Sequence, residues 1–352
     1  MTAYLHAIGT AVPSHDVHAA FIDWARAQVE PRSAKLFDRM AARAGIGHRW
    51  SVLPTACDGG SPVAAGGFYG EGHPGTGERM RVYAEAAPAL ALCAIAELRK
   101  QVPLDGITHL VVASCTGFVA PGVDQIIAAR LGLSPSVERL LVGFMGCYAA
   151  VAALRSARHV VRSDPAARVL VVTVELSTLH LQPATAIEPL LAMLQFGDGA
   201  AAALVTGEPG GFHLDRPFAA ALPDTAALIR WDITDSGFAM HLSGEVPARI
   251  AGALADKALA ASMIGGVAAR DVDGWAVHAG GRSILDAVEK ALHLSPEALA
   301  HSRAVLADNG NMSSATLMFV LARLLAGPSV RHGVALAFGP GLAAEGFGFA
   351  SA

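Results

Sequence analysis

Apolar positions along the chain fall into short β-type runs that alternate with longer stretches rich in Ala and Leu. Runs of Val, Ile, Leu and Ala predict strands at His109–Ser114, Leu140–Phe144, Arg168–Val174, Ala200–Val205, Gly274–Val277 and Gly333–Ala337. Helical spacing predicts helices over Arg79–Gln101, Val123–Leu131, Cys147–Ser163, Pro247–Ile264 and Met312–Leu325. Pro88 lies inside the first of these and predicts a kink or a helix start there. The segment Asp58–Thr76 is Gly-rich and aperiodic, which reads as a loop. Strands and helices alternating in this way imply an α/β architecture, with helices packed on largely buried sheets.

The pattern repeats. "LLVGFMGCYAAVAALRSARHVV" runs from a strand through a Gly turn into an Ala-rich helix, and "AVLADNGNMSSATLMFVLARLL" has a similar order near Asn311. The strand before each, "HLVVASCTG" and "GWAVHAGGR", and the strand after each, "RVLVVTVEL" and "GVALAFGPG", keep nearly the same offset of about 164 residues. Three landmarks at one offset indicate duplication of one α/β unit, with halves at 1–205 and 206–352 meeting face to face.

Composition narrows the function. Only 16% of the 352 residues are charged and 53% are hydrophobic, against about 25% charged in ordinary soluble domains. That excludes disorder and predicts a large core with a buried subunit interface. Lys and Arg total 26 against 30 acidic residues, for a net charge of −4. No basic stripe for nucleic acid and no polybasic membrane anchor follows from that balance. The longest apolar stretches fall short of the roughly 18 residues of a spanning helix, and no secretory signal is read at the start. A cytoplasmic protein is expected. Cys57, Cys93, Cys115 and Cys147 are far apart, without the CxxC spacing of a zinc site or redox dithiol. No metal is expected.

Cys147 follows Gly146 where a strand passes into a helix. Unpaired N–H groups and the positive end of the helix dipole both favour thiolate there, so a lowered pKa is expected. A buried apolar cysteine is the alternative. His278 ends the strand "GWAV" beside a Gly pair, where it projects into a crevice or serves as a structural histidine. Asn311, at the opening of the second-half helix, is a capping residue or a site residue. A pseudo-twofold between the halves would bring all three to one centre. Cys, His and Asn without a carboxylate suit acyl-thioester chemistry, the thiolate attacking and the other two donating to a developing oxyanion.

"GFMGCYAA", "FGDGAAAAL", "VHAGGRSIL", "DNGNMSSAT" and "AFGPGL" resemble, in order and spacing, the motifs of the chalcone-synthase-like type III polyketide synthases. The resemblance implies the thiolase fold, with duplicated αβαβα layered halves related by pseudo-twofold symmetry, working as a homodimer. It implies Cys147 as the acyl-carrying nucleophile and His278 and Asn311 as the pair that holds the thioester carbonyl. Phe196 matches the aromatic gatekeeper and Met240 the second gatekeeper position. Cys115, Ser177, His180, Trp231 and Ser313 match cavity positions, and Arg39 matches a CoA-binding residue. Malonyl-CoA and an acyl-CoA starter are the implied substrates, with no cofactor. The expected reaction is iterative decarboxylative Claisen condensation, then cyclisation to a pyrone, resorcinol or phloroglucinol-type product.

Departures from the plant pattern include Tyr148-Ala149-Ala150 after the nucleophile, Ala120 at a methionine position and Trp231 at a glycine position. They point to the bacterial branch. Other readings stay open at this stage. Phe196, Met240 and Trp231 also read as core residues, His180 as a solvated loop residue, and "FGDG" as a tight Asp–Gly turn. An initiating β-ketoacyl-carrier-protein synthase would use the same triad for a single condensation; a cysteine hydrolase or a binding protein would need less of the pattern.

Overall fold

The computed structural model describes residues 2–56 and 59–352, so Cys57 and the first residue of the Asp58–Thr76 loop lie outside the described residues. Side chains alternate faces along a strand, and here both faces are apolar because both are covered. Val111, Ala113, Val171, Ala201, Ala203, Ala276, Ala335 and Ala337 face one common core that contains the helices Ala149–Ser163 and Ser314–Leu325. Their neighbours Leu110, Val112, Leu170 and Val172 pack outward with His18–Gln28 and Thr76–Arg99. On the other half, Trp275, Val277, Val334 and Leu336 pack outward with Val246–Ala255 and Arg282–Ala291. The result is five layers, helix–sheet–helix–sheet–helix. Two helices between the two halves of the sheet leave little room at the inner strand faces, and small residues, mostly Ala with Val111 and Val171, occupy those positions.

The strands join into one nine-stranded mixed sheet. Its seam is short: Ala3–Leu5 pairs antiparallel with Phe212–Leu214. Outward from the seam, Ala3–Ala11 meets Asp198–Thr206 antiparallel, then Val169–Leu176 antiparallel, then His109–Ser114 parallel. On the other side Phe212–Ala221 meets Ala343–Ser351 antiparallel, then Gly333–Gly339 antiparallel, then Gly274–Val277 parallel. Order and sense repeat, which bears out the duplication. The first half adds one outer strand, Glu138–Gly143.

Two predicted helices need correction. The first runs unbroken over Thr76–Arg99 through Pro88, because its buried face (Tyr83, Ala87, Leu90, Ala91, Ala94, Leu98) is held on the sheet. The contact is close enough that a Cβ on Gly9 would collide with the Leu98 amide nitrogen. The predicted helix Pro247–Ile264 is two, Val246–Ala255 and Lys257–Met263. Asp256 breaks it by leaving helical geometry and accepting from the amides of Ala258 and Leu259, an N-cap for the second piece. No helix among the described residues is long and apolar enough to cross a membrane.

Candidate active site

The turn after Glu138–Gly143 is tight, with Phe144 at φ 56° and Gly146 at φ 73°. A Cβ on Gly146 would lie 2.5 Å from Pro340 Cδ, so the "FGPG" run Phe338–Gly341 packs directly on this turn. The chain then makes a 3-10 turn, Gly146–Tyr148, which presents Cys147 ahead of the helix Ala149–Ser163. His278 directly follows the strand Gly274–Val277, its amide donating to the Leu336 carbonyl at 2.7 Å. Asn311 is fixed by its backbone, donating to the Gln195 carbonyl at 2.8 Å and accepting from the Gly197 amide at 3.1 Å. Its Nδ2 donates to the carbonyl of Gly280, two residues after His278, at 3.1 Å, and its Oδ1 accepts from the Ser313 amide at 2.8 Å. The carboxamide is thereby oriented, with one N–H still to give.

Cys147, His278 and Asn311, drawn from two halves of the chain, line one cavity of about 950 Å³. Neither ring nitrogen of His278 has a partner among the described residues, although the residue is 1% exposed. Burial lowers its pKa to about 3. Burial likewise pushes the Cys147 thiol up to about 12, outweighing the Ser313 and Asn311 side chains that favour the thiolate. The expected lowered pKa is therefore reversed in the free site: desolvation exceeds the help of the turn and helix terminus.

Phe196 and Met240 line this cavity and also a second, inner pocket of about 20 Å³ behind it. Ser177, His180 and Trp231 line the inner pocket. His180 is buried, not a solvated loop residue: its Nε2 donates to the Thr116 carbonyl at 2.7 Å, and its Nδ1 accepts from the Phe238 amide at 3.0 Å. That pattern requires the neutral ring with hydrogen on Nε2, and burial lowers its pKa to about 3. It stacks on Phe238 at 4.2 Å. Trp231 Nε1 donates to the Cys115 carbonyl at 3.0 Å. Cys115 and Ser313 touch each other, Sγ to Oγ 3.1 Å, with burial raising the Cys115 thiol well above its usual value. Arg39 is exposed on the helix Ala34–Arg43, whose Leu36, Met40 and Arg43 line the outer cavity.

Sequence reasoning passed over Glu175. This fully buried carboxylate accepts from the Cys115 amide (3.0 Å), Cys115 Sγ (3.2 Å), Thr116 Oγ1 (2.9 Å) and Ser314 Oγ. One acid inside the apolar strand "VLVVTVEL" was the available signal. Asp198 of "FGDG" is no tight turn either. It opens the strand Asp198–Thr206 and accepts from Thr178 N and Oγ1 and from the Val52 amide. Burial raises it to about 7.

Residues 1–209 match the N-terminal domain of the chalcone and stilbene synthases, and residues 214–352 match their C-terminal domain. The chain belongs to the chalcone and stilbene synthase family. Over 285 residues it is 37% identical to the alpha-pyrone synthesis polyketide synthase-like Pks18 of Mycobacterium tuberculosis, covering 77% of this chain and 72% of the relative. It is 33% identical over 299 residues to type III polyketide synthase C of Arabidopsis thaliana, covering 79% and 76%. Among solved structures, PKS-I of the brown alga Ectocarpus siliculosus superposes with a TM-score of 0.90 at 29% identity, over 100% of this chain and 98% of that one. The 1,3,6,8-tetrahydroxynaphthalene synthase of Streptomyces coelicolor A3(2) superposes at 0.88 and 28% identity, over 99% of each chain. As a type III polyketide synthase of thiolase fold, this chain is an acyltransferase of a family that condenses malonyl-CoA with acyl-CoA substrates.

Proposed function

We propose that Cys147 carries the acyl chain while His278 and Asn311 hold the reacting thioester carbonyl. The unpartnered imidazole of His278, sharing a cavity with Cys147 and Asn311, carries this reading. With Cys147 and His278 both neutral at rest, loading begins as the thiol proton passes to the imidazole. Sulfur attacks the starter thioester, the bond to CoA sulfur breaks, and His278 returns the proton to the CoA thiolate. Malonyl-CoA then loses CO₂, and the electron pair of the broken C–C bond becomes an enolate. The second N–H of Asn311 and the one N–H of the neutral His278 ring donate to its oxygen. The enolate carbon attacks the Cys147 thioester, the C–S bond breaks with Cys147 leaving as a thiolate that takes a proton from solvent, and the lengthened chain leaves on CoA until it is reloaded.

CoA thioesters are substrates here, and no cofactor or metal takes part. The 37% identity to the alpha-pyrone relative favours a pyrone as the product. The working form is a cytoplasmic homodimer, a reading supported by the exposed apolar Phe118, Leu140 and Leu141. Light scattering that finds a monomer at micromolar concentration would remove the dimer.

The test is product analysis by liquid chromatography and mass spectrometry. Malonyl-CoA is offered with acetyl-, medium-chain, long-chain and aromatic acyl-CoAs, beside a Cys147→Ala control. Pyrones or phenolics that vanish in the control are expected. A strict need for an acylated carrier protein and a single condensation would transfer the chain to the initiating-synthase reaction. Silence with every thioester would overturn the proposal.

A further inference from the structure

The inner pocket behind Phe196 and Met240 contains two polar groups that the described residues leave unsatisfied. Arg49 is completely buried, its guanidinium 5.4 Å from the Phe21 ring. Its Nε donates to His18 Nδ1 at 3.0 Å and its Nη1 to the Phe196 carbonyl at 3.1 Å, but Nη2 has no partner among the described residues. Ser177 Oγ, on a residue 7% exposed, has none among the described residues either. Both residues line the inner pocket.

The other polar side chains on that wall are spent inside the protein. His180 uses both ring nitrogens, and Thr178 Oγ1 bonds to Asp198 at 2.7 Å and Ser51 at 2.8 Å. Phe21, Leu181, Met193 and Phe238 complete an apolar lining. Native proteins retain few unpaired buried donors, because each forfeits its hydration without return. A guanidinium only donates, so the missing partner is an acceptor oxygen. The pocket's size, about 20 Å³, admits one small oxygen-bearing group and no ring.

A poly-β-keto chain growing from Cys147 carries a ketone oxygen on every second carbon, and Phe196 and Met240 stand between the two spaces. Resting on the function proposed above, we infer that Arg49 Nη2 and Ser177 Oγ–H grip a ketone oxygen of the extending chain as it passes Phe196. The grip fixes how the chain folds and how many extensions precede release. Because the same guanidinium holds the Phe196 carbonyl, the oxygen site and the gate are tied through one side chain.

Ser177→Ala tests this directly. Ser177 Oγ makes no hydrogen bond to the described residues, so its loss should leave the melting temperature unchanged or raise it. The ratio of the longest product to the first-extension product should fall about three- to tenfold, the effect of one hydrogen bond. Arg49→Met should lower the ratio further and Arg49→Lys should restore part of it. Ser177→Val, which cannot donate, gives the test a second arm should the Arg49 variants not fold. Unchanged ratios in folded, active Ser177→Ala and Ser177→Val, the result expected if the pocket only seats a structural water, would overturn the inference alone. A wild-type enzyme silent with every starter would overturn the function and this inference together.

Discussion

Met240 and Trp231 stand directly opposite each other across the antiparallel hairpin Ile229–Thr234 and Gly237–Leu242, and both line the inner pocket. Paired positions in such a hairpin project to one face, so the two side chains share one volume. Trp231 takes up much of it and is anchored to the Cys115 carbonyl, in keeping with an inner pocket of only about 20 Å³.

Trp231→Ala should therefore open the inner pocket and lengthen or enlarge the products, as mass spectrometry of the product mixture would show. Its melting temperature should fall by an amount matching about 1–3 kcal/mol, less than for a fully buried tryptophan. An unchanged product set would mean that the pocket does not limit the chain.

Asn311→Ala should separate the half-reactions. Intact-protein mass spectrometry should still find the starter on Cys147, since loading does not need the enolate. Release of CO₂ from malonyl-CoA should drop about 10²–10³-fold, the usual effect of losing one oxyanion donor.

The raised thiol of Cys147, near 12, and the lowered imidazole of His278, near 3, predict a neutral pair throughout the working range. Alkylation of the free enzyme at Cys147 by iodoacetamide should climb about tenfold per pH unit from about pH 6 to 9, with no plateau. A plateau in that range would reveal a standing thiolate–imidazolium pair.

His180 should make the fold sensitive to acid. Its folded pKa, near 3, lies below the ordinary 6.5, so the unfolded chain binds the extra proton first. The stability it contributes is present above about pH 6.5 and is lost as pH falls toward 3, by about 1.4 kcal/mol per unit. Asp198, raised to about 7, acts in the opposite sense. His180→Gln should cut the loss of stability between pH 7 and 5 relative to wild type, measured by urea unfolding. Parallel curves would contradict the buried neutral ring.

Gly146→Ala should damage both stability and loading. The positive φ and the Pro340 ring at 2.5 Å leave no room for a Cβ. A cost of about 1–3 kcal/mol and slowed acylation of Cys147 are expected, checked by thermal unfolding and intact mass.

Local pattern alone determined a good part of this protein. His109–Ser114, Gly274–Val277 and Val123–Leu131 were readable to their ends, because continuous apolar runs or firm punctuation define them. The repeat placed Cys147 and Asn311 at matching points of two units, and the strand before the Gly pair placed His278. Ala3–Ala11, Phe212–Ala221 and Ala343–Ser351 were not legible. Their Gly-rich or mixed sequences become strands through partners far along the chain, as Phe212–Ala221 does with Ala343–Ser351. Nor does spacing carry electrostatics. Cys147 at a turn before a helix reads as an activated thiolate, yet burial decides its protonation. Arg49 and Glu175 read as one charge near a loop and one in a strand. Tertiary packing alone made them a guanidinium behind the gate and a carboxylate with four donors, because burial depends on what the rest of the chain places around a residue.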